Sequence, residues 1–376
     1  MNLLIMLLLL GPLQGNSSIP INASLTYVGS AFSINVYQLF FANATGYIMV
    51  PPQGTYEGEF AGLLRVNNLT YVGMYHGVVS SSFFIGYFTP MVTYRPVSLP
   101  TVLTPGNYSG FEAIAQSKVP IYLRYLVFNE YSNGTLMNTL SLITISATSP
   151  PLTIWFSNGY DCIAYLINIT FNEPMKVVPI PIIVNTQSPI SYFISNVTIT
   201  SVYPPTELML LEPGGDIVVA ETPIIRANYT MYVCGNLINN GSNFLDVVEY
   251  LGPTGVSISG LDITKAFGIK KTSNPIAIVN KVFYTLMNNK YELTTYSVGP
   301  ENLLSTGKGG SIIDFTALAM TVLRYYGIPT RVALGFYGTN EGNDVYVFSS
   351  ETNILWVESF VGGWVMFIPA PIHSKH

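Results

Sequence analysis

The chain has very few charged residues. Only 9% of its 376 residues are Asp, Glu, Lys or Arg, against roughly 25% in an ordinary soluble protein. Yet 49% are hydrophobic, including 26 Tyr and 20 Phe, and this excludes disorder, which combines low hydrophobicity with high charge. The formal net charge is −5 and the basic residues form no cluster. Nucleic-acid binding therefore has no support.

Histidine and cysteine are equally scarce. The histidines are His76, His373 and His376, and the cysteines are Cys162 and Cys234. Residues 246–370 contain neither type. Cysteine-based catalysis needs a thiolate and a base beside it, so it is excluded from that stretch. We also expect no metal and no cofactor.

Long apolar runs are absent as well. The first residues, MNLLIMLLLLGPLQG, hold an apolar run that ends at Gly11-Pro12. Such a run is too short to span a bilayer and is typical of a signal peptide, although no Lys or Arg precedes it. We therefore expect a signal peptide at residues 1–15 and a mature chain without a transmembrane segment. The protein is expected to be extracellular or at the cell surface.

Glycosylation sequons of the form Asn-x-Ser/Thr are concentrated in the N-terminal part of the chain. This distribution indicates an exported, glycosylated region followed by a region without glycans. None follows residue 242. The sequon asparagines are Asn16, Asn22, Asn43, Asn68, Asn107, Asn133, Asn168, Asn196, Asn228 and Asn240.

The charges show the opposite asymmetry. Residues 1–245 carry 6 basic and 10 acidic groups, and residues 246–376 carry 9 and 10. This shift predicts a domain boundary near residue 245. Few carboxylates mean little change of net charge in acid, and the composition resembles that of surface glycoproteins of acidophilic archaea. The alternative is simply an exported β-protein rich in Tyr, Thr and Asn.

Residues 16–245 are predicted to be β-structure without helices. Runs rich in Val, Ile, Tyr, Phe and Thr alternate with Gly, Pro and Asn-Gly breaks, and Asn133-Gly134 indicates a hairpin turn. The spacing favours one or two sandwich-like domains, at 16–148 and 149–245, with a boundary at Ser149. Cys162 and Cys234, 72 residues apart, are predicted to form a disulfide. Two buried free thiols are the alternative.

Helices are predicted only after residue 245, in an α+β domain at 246–376. Asn274-Pro275 is a helix start, followed by apolar residues near a 3.6-residue period. A second helix is predicted from about Ile312 to Tyr326, ended by Gly327 and Pro329. Strand-like segments follow it.

Three motifs in this domain resemble those of the transglutaminase-like (papain-like) superfamily. The family has a helix ending in Arg-x-x-Gly-Ile-Pro-x-Arg, a strand with His-x-Trp-x-Glu, and Gly-Trp followed by Asp-Pro. The matching residues are Arg324, Gly327, Ile328, Pro329 and Arg331 for the first motif, Trp356 and Glu358 for the second, and Gly363, Trp364 and Pro369 for the third.

The resemblance implies a Cys–His–Asp triad, and this chain lacks it. The family spacing puts the nucleophile at Ile312, the base at Ile354 and the acid at Ile368. Isoleucine has no proton to exchange and no charge, so it can replace none of these groups. A slip of one residue would make Ser311 the nucleophile, but it would break the spacing to Arg324.

Four further residues are candidates for binding a ligand in the former cleft, namely Trp356, Trp364, Glu358 and Asp314. The alternatives are core packing for the two Trp and a structural role for Glu358. For Asp314 the alternative is a surface carboxylate that interacts favourably with the dipole at the start of the helix.

Three functions remain open. The chain is expected to be a glycosylated surface protein whose non-catalytic terminal domain binds other envelope proteins or peptides. The alternatives are an amidase or peptidase relative with a relocated site, and a purely structural envelope component.

Overall fold

The computed structural model describes residues 18–31, 34–51, 56–67, 69–80, 82–94, 110–140, 147–212, 215–237, 249–270, 273–288 and 290–372. The expected signal peptide lies outside these ranges. So do Asn16, Asn68, Asn107, Asn240, His373 and His376. No helix of the described residues is long and apolar enough to cross a membrane.

The first six strands close into an antiparallel barrel in which each strand pairs with the next and β6 returns to β1. Alternate side chains of each strand fill the interior because successive residues face opposite sides. The strands are β1 (Ile19–Ala31), β2 (Ile34–Phe41), β3 (Ala44–Val50), β4 (Tyr56–Val66), β5 (Leu69–Val79) and β6 (Phe83–Tyr94).

Tyr75 occupies the centre of the barrel and donates a hydrogen bond to the carbonyl of Leu63. Gly46 and Gly62 leave room for it, since a Cβ on Gly62 would lie 2.6 Å from Cδ2 of the Tyr75 ring. The barrel corrects the expectation of a sandwich at the start of the chain. Local alternation is the same in both architectures, and only strand closure distinguishes them.

An eight-stranded sheet follows, in the order β11-β14-β16-β12-β7-β21-β20, with β15 paired to β16. Its strands are β7 (Glu112–Gln116), β11 (Leu152–Trp155), β12 (Gly159–Val178), β14 (Phe193–Tyr203), β15 (Leu208–Leu211), β16 (Ile217–Leu237), β20 (Thr339–Gly342) and β21 (Val345–Ser349).

A five-stranded sheet shares one hydrophobic core with it and has the order β13-β8-β19-β22-β23. Its strands are β8 (Tyr122–Phe128), β13 (Ile180–Ile182), β19 (Thr330–Tyr337), β22 (Asn353–Phe360) and β23 (Trp364–Phe367). Two small ladders complete the sheets, formed by β9 (Glu130–Ser132) with β10 (Thr135–Met137) and by β17 (Glu292–Leu293) with β18 (Gly309–Gly310).

Both predicted boundaries, at 148/149 and 245/246, are crossed by these sheets. β8 pairs with β19, and β7 lies between β12 and β21. Residues 110–237 and 249–372 are therefore one body, while the barrel is separate in its strand pairing. The changes in sequon and charge density along the chain therefore do not coincide with a boundary in strand pairing.

Helices occur only after residue 249 among the described residues, as predicted. They are α1 (Gly260–Phe267), α2 (Pro275–Leu286), α3 (Pro300–Thr306) and α4 (Ile312–Tyr325), with a 3-10 turn at Ser350–Thr352. Asn274 caps α2 by accepting a 2.8 Å hydrogen bond from the Ile276 N–H. Ile276 itself is exposed, and Ile278 and Val282 join the buried face instead.

Two local predictions are confirmed. Asn133 and Gly134 both have positive φ and form the two-residue turn between β9 and β10. Cys162 and Cys234 face each other on β12 and β16 and form a disulfide, with their Cα atoms 4.0 Å apart.

Candidate functional site

The start of α4 carries the predicted nucleophile position. Ser311 precedes the helix, and its backbone N–H donates to the Asp314 carboxylate at 2.9 Å. The Ser311 hydroxyl is buried and has no hydrogen-bond partner among the described residues. In the part of the chain that the structure describes, no side chain is hydrogen-bonded to this hydroxyl as a base that activates a nucleophile would be.

Asp314 is fully buried, and its predicted position at the surface is wrong. Its carboxylate also accepts hydrogen bonds from Ser297 Oγ at 2.5 Å and from the N–H groups of Val298 and Gly299 at 2.8 and 3.0 Å. These bonds tie the segment before α3 to the start of α4. The carboxylate is thus occupied by internal donors and is not available to a ligand.

The three predicted triad positions each contact the main hydrophobic core. Ile312 is the first residue of α4, Ile354 lies opposite Gly335 in the β19–β22 ladder, and Ile368 follows β23 directly. Ile368 is fully buried in the main core, and Ile312 and Ile354 are partly buried against it. Helix α4 packs against both β19 and β22. The side chains at these three predicted positions are hydrocarbon and at least partly buried.

Glu358 lies at the centre of a buried charge network. Its carboxylate accepts hydrogen bonds from Arg124 Nε and Nη2 at 2.7 and 2.8 Å and from Arg331 Nε at 2.7 Å. Arg331 Nη2 also donates to Asp216 at 2.9 Å. All four side chains are buried. Two guanidiniums and two carboxylates thus neutralise one another inside the protein.

The environment of Glu358 changes its acidity. Burial alone raises the pKa of a carboxyl group, but attraction and hydrogen bonds from Arg124 and Arg331 outweigh it and bring the pKa of Glu358 to about 2. Glu358 is therefore ionised across the ordinary pH range. A carboxylate held in this way is a poor proton donor and acceptor at neutral pH.

Both motif tryptophans are fully buried beside this network. Trp356 donates from Nε1 to Glu358 at 3.2 Å, and the Arg331 guanidinium lies 3.8 Å from the centroid of the Trp364 ring. Of the two alternatives, core packing and ligand contact, the structure gives core packing. The side chains of Trp356, Trp364 and Glu358 are not accessible to a ligand, so the structure does not support the binding role predicted for them.

Arg324 is the first residue of the Arg-x-x-Gly-Ile-Pro-x-Arg motif and lies in the last turn of α4. Its guanidinium donates to the carbonyls of Thr330, Gly252 and Asn129 at 2.8–2.9 Å. Burial lowers the pKa of Arg324 to about 10. The arginine therefore holds the α4–β19 turn, the segment at 252 and the end of β8 together by backbone contacts.

The residues that thiol chemistry requires lie elsewhere. Both cysteines of the sequence are joined in the disulfide, so no free thiol remains. Within the described ranges the one histidine is His76 in the barrel, stacked on Tyr87 and 3.1 Å from Glu59. The same ranges contain no group of three His, Cys, Asp or Glu side chains that could hold a metal ion.

Two hollows border the terminal domain, and the second is shared with the barrel. One, of about 710 Å³, is bordered by α1, α3 and Tyr291, and is lined mainly by hydroxyl and charged side chains. The other, of about 520 Å³, lies between β1, β2 and residues 251–257. Ile312, Ile354 and Ile368 line neither.

Sequence reasoning missed Arg124 and Asp216, although one signal was present. Arg124 is a lone charge within the apolar run VPIYLRYLVF, and a charged residue in a buried strand requires a partner. The partner could not be identified because Glu358 lies 234 positions away.

One stretch of the chain matches a known protein family. Residues 264–369, in the C-terminal part, match the family described as the transglutaminase-like superfamily. No curated protein sequence matches the chain.

Two solved structures are similar at low identity. The periplasmic domain of TgpA from Pseudomonas aeruginosa has a TM-score of 0.48 and 13% identity, over 73% of this chain and 94% of that one. A putative cysteine protease from Cytophaga hutchinsonii has a TM-score of 0.25 and 15% identity, over 70% and 77% of the two chains.

Proposed function

We propose that this chain is an exported, glycosylated cell-surface protein whose transglutaminase-like domain is non-catalytic. The domain serves as a binding or structural module for other envelope proteins or peptides. One observation carries the proposal: the only two cysteines form a disulfide, and the triad positions are Ile312, Ile354 and Ile368. Without a free thiol, the nucleophilic step of the family has no reactant.

The motif residues that remain have structural roles. Glu358, Arg331, Trp356 and Trp364 contact one another, and Arg324 binds backbone carbonyls. Their retention is explained by the stability of the fold and needs no active site. This supports a domain kept for its shape and surface.

Contacts with a partner are expected on exposed apolar side chains of the terminal domain. Leu261, Tyr284 and Tyr296 are more than half exposed. With so few charges, electrostatic steering is weak, and docking depends on apolar and aromatic contact.

The catalytic alternative is tested with the full-length chain. We expect no ammonia release from glutamine peptides and no peptide cleavage. Activity that disappears in a Ser311→Ala variant would overturn the proposal in favour of an amidase or peptidase with a relocated site. A matched Ser305→Ala variant, at a mainly exposed serine of α3, controls for nonspecific loss.

The family register is tested by restoring the triad. A variant with Ile312→Cys, Ile354→His and Ile368→Asp is expected to regain alkylation of the new thiol by iodoacetamide at pH 6, faster than Ile312→Cys alone. Equal rates in a folded triple variant would contradict the assignment of these positions.

A binding module and a purely structural component differ in their surface requirements. A Leu261→Ser, Tyr296→Ser variant is expected to release the chain from the cell envelope. A Tyr27→Ser, Tyr87→Ser variant of the barrel, also exposed, is the matched control. If both variants remain bound, the terminal domain is not the docking module.

A further inference from the structure

The outer face of the eight-stranded sheet, meaning the side turned away from the core, is arranged in rows across adjacent strands. Directly paired residues of antiparallel strands face the same side. Four rows run across β7, β12, β16, β14 and β11. They are Ile114, Thr170, Arg226 and Tyr203; Gln116, Asn168, Asn228 and Ser201; Leu166, Thr230, Thr198 and Thr153; and Ala164, Tyr232, Asn196 and Trp155.

This face is almost uncharged and carries exposed apolar side chains among uncharged polar ones. Arg226 is the one charged residue in the four rows, and it lies over the Tyr203 ring. Leu166 is 77% exposed, Trp155 63% and Ile114 56%. Exposed apolar side chains on a sheet with so few charges favour association unless something covers them.

Three of the sequons lie on this face, one on each of three adjacent strands. They are Asn168 with Thr170 on β12, Asn196 with Thr198 on β14, and Asn228 with Thr230 on β16. Side chains two positions apart in a strand face the same side, so each asparagine and its threonine point outward together. The neighbouring core-facing residues Ile167, Val197 and Tyr229 are buried.

We propose that N-linked glycans cover the outer face, with one at Asn196 and one at either Asn168 or Asn228 but never at both. The inference rests on the proposed export and glycosylation of the chain, and it adds which sites are used. Asn196 lies opposite both Tyr232 and Trp155, so a glycan there extends over exposed aromatic rings.

The covalent step is ordinary glycan transfer from an oligosaccharide carried on a lipid diphosphate. The bond between the sugar C1 and the diphosphate oxygen breaks, and the diphosphate leaves with the electron pair. A bond forms between C1 and the asparagine Nδ2, which gives up one proton to a base of the transferase. No change of oxidation state occurs.

The exclusion follows from the ladder. Asn168 and Asn228 are directly paired, and neighbouring strands are only about 4.7–4.9 Å apart. Two bulky glycans would have to leave the sheet from adjacent points. Asn228 is half-buried and donates from Nδ2 to Ser201 Oγ at 2.7 Å, whereas Asn168 is exposed. Asn168 is therefore the favoured site of the pair.

Because of the disulfide, the occupancy of Asn168 and of Asn228 can be measured on the same protein molecule. Trypsin cuts after Arg124, Lys176, Arg226 and Lys265. One of the resulting peptides contains Cys162 and Asn168, and another contains Cys234 and Asn228. Without reduction the peptides stay joined through the Cys162–Cys234 bond. Asn133→Gln and Asn240→Gln changes remove the other sequons of these peptides.

The test is mass spectrometry of this linked pair from the full-length chain, exported by an N-glycosylating host. We expect linked pairs with one glycan or none, mostly at Asn168, and a rise in Asn228 occupancy in an Asn168→Gln variant. Pairs with two glycans would overturn the exclusion, and sugar on Thr170, Thr198 or Thr230 would overturn the asparagine assignment.

Glycan occupancy elsewhere in the chain distinguishes failure of the outer-face proposal from failure of the glycoprotein proposal. If Asn22 and Asn43 in the barrel carry glycans and the outer face carries none, the outer-face proposal fails and the glycoprotein proposal stands. If no sequon of the chain is occupied, both fail.

The covering role is tested by removing sequons in matched sets. An Asn168→Gln, Asn196→Gln, Asn228→Gln variant is expected to show a several-fold rise in aggregated fraction by light scattering. An Asn22→Gln, Asn43→Gln, Asn133→Gln variant loses the same number of sequons elsewhere and should remain near the wild type. Equal aggregation in the two variants would show that the outer face needs no cover.

Discussion

The barrel and the two-sheet body reach a buried core by different means. The barrel interior, at residues 19–88, is apolar and aromatic, with Tyr75 at its centre. The body buries Arg124, Arg331, Asp216 and Glu358 in one network as well as its apolar core. In the barrel, strand alternation indicates which side chains face inward, whereas the core of the body also needs particular charged partners from distant segments.

This difference shows what the family motif does in this chain. Its residues lie in the body, where they connect β8, β19, β22 and the segment before β16. A pairing that requires two guanidiniums and two carboxylates specifies one arrangement of these strands. The motif residues that this chain has organise the fold, and in our proposal isoleucine occupies the positions of the family's triad.

The largest expected effect comes from removing the central charge of the body. Glu358→Gln leaves Arg124 and Arg331 without their shared counter-charge, and breaking a buried pair costs about 3–5 kcal/mol. The free energy of unfolding in urea measures this loss. Glu351→Gln makes the same change at an exposed position and should shift the value by less than about 0.5 kcal/mol. Similar values for the two variants would contradict the network's role.

The next largest effect is expected from the disulfide, which cross-links the body only. A Cys162→Ser, Cys234→Ser variant frees a loop of 72 residues, and a disulfide typically contributes about 2–4 kcal/mol. Thermal unfolding should show the body melting earlier, with the barrel transition unchanged if the two regions unfold separately. A shift of both transitions together would mean that they unfold as one unit.

A smaller effect tests the barrel. In Gly62→Ala, the new Cβ would meet the Tyr75 ring, and overpacking of this kind typically costs about 1–3 kcal/mol. Gly58→Ala on the same strand is the control, since its Cβ would meet only Phe60 Cζ, at 3.6 Å. Equal stability of the two variants by urea unfolding would show that Tyr75 does not fill the barrel as described.

The pH dependence should be the mildest effect in ordinary buffers. Because the pKa of Glu358 is lowered to about 2 from 4.5, its stabilising contribution is fully present above about pH 4.5. It is lost as the pH falls toward 2, since the unfolded chain binds the proton first. Unfolding measured from pH 6 to pH 2 should show this loss in the wild type and less of it in Glu358→Gln. Parallel curves would contradict the low pKa.

Local elements were predicted well where their signals lie within a few residues. The Asn274 cap, the Asn133-Gly134 turn and the end of α4 before Gly327 follow from backbone chemistry at those positions. Asp314 was placed wrongly because its burial depends on the 297–299 segment packing over it. A residue at a helix start gives no indication of what covers it.

Sequence alone was sufficient to predict the β-rich and helical regions, the start of α2 and both ends of α4, and to show that residues 246–370 contain no Cys–His pair. These properties depend on composition, periodicity and residue identity, all of which are local. Only the tertiary structure decided that the first strands close into a barrel, that Arg124 joins Glu358, and that Asn168 lies opposite Asn228. Each depends on strand closure, register or partners far apart in the chain, and one strand's pattern is compatible with many such pairings.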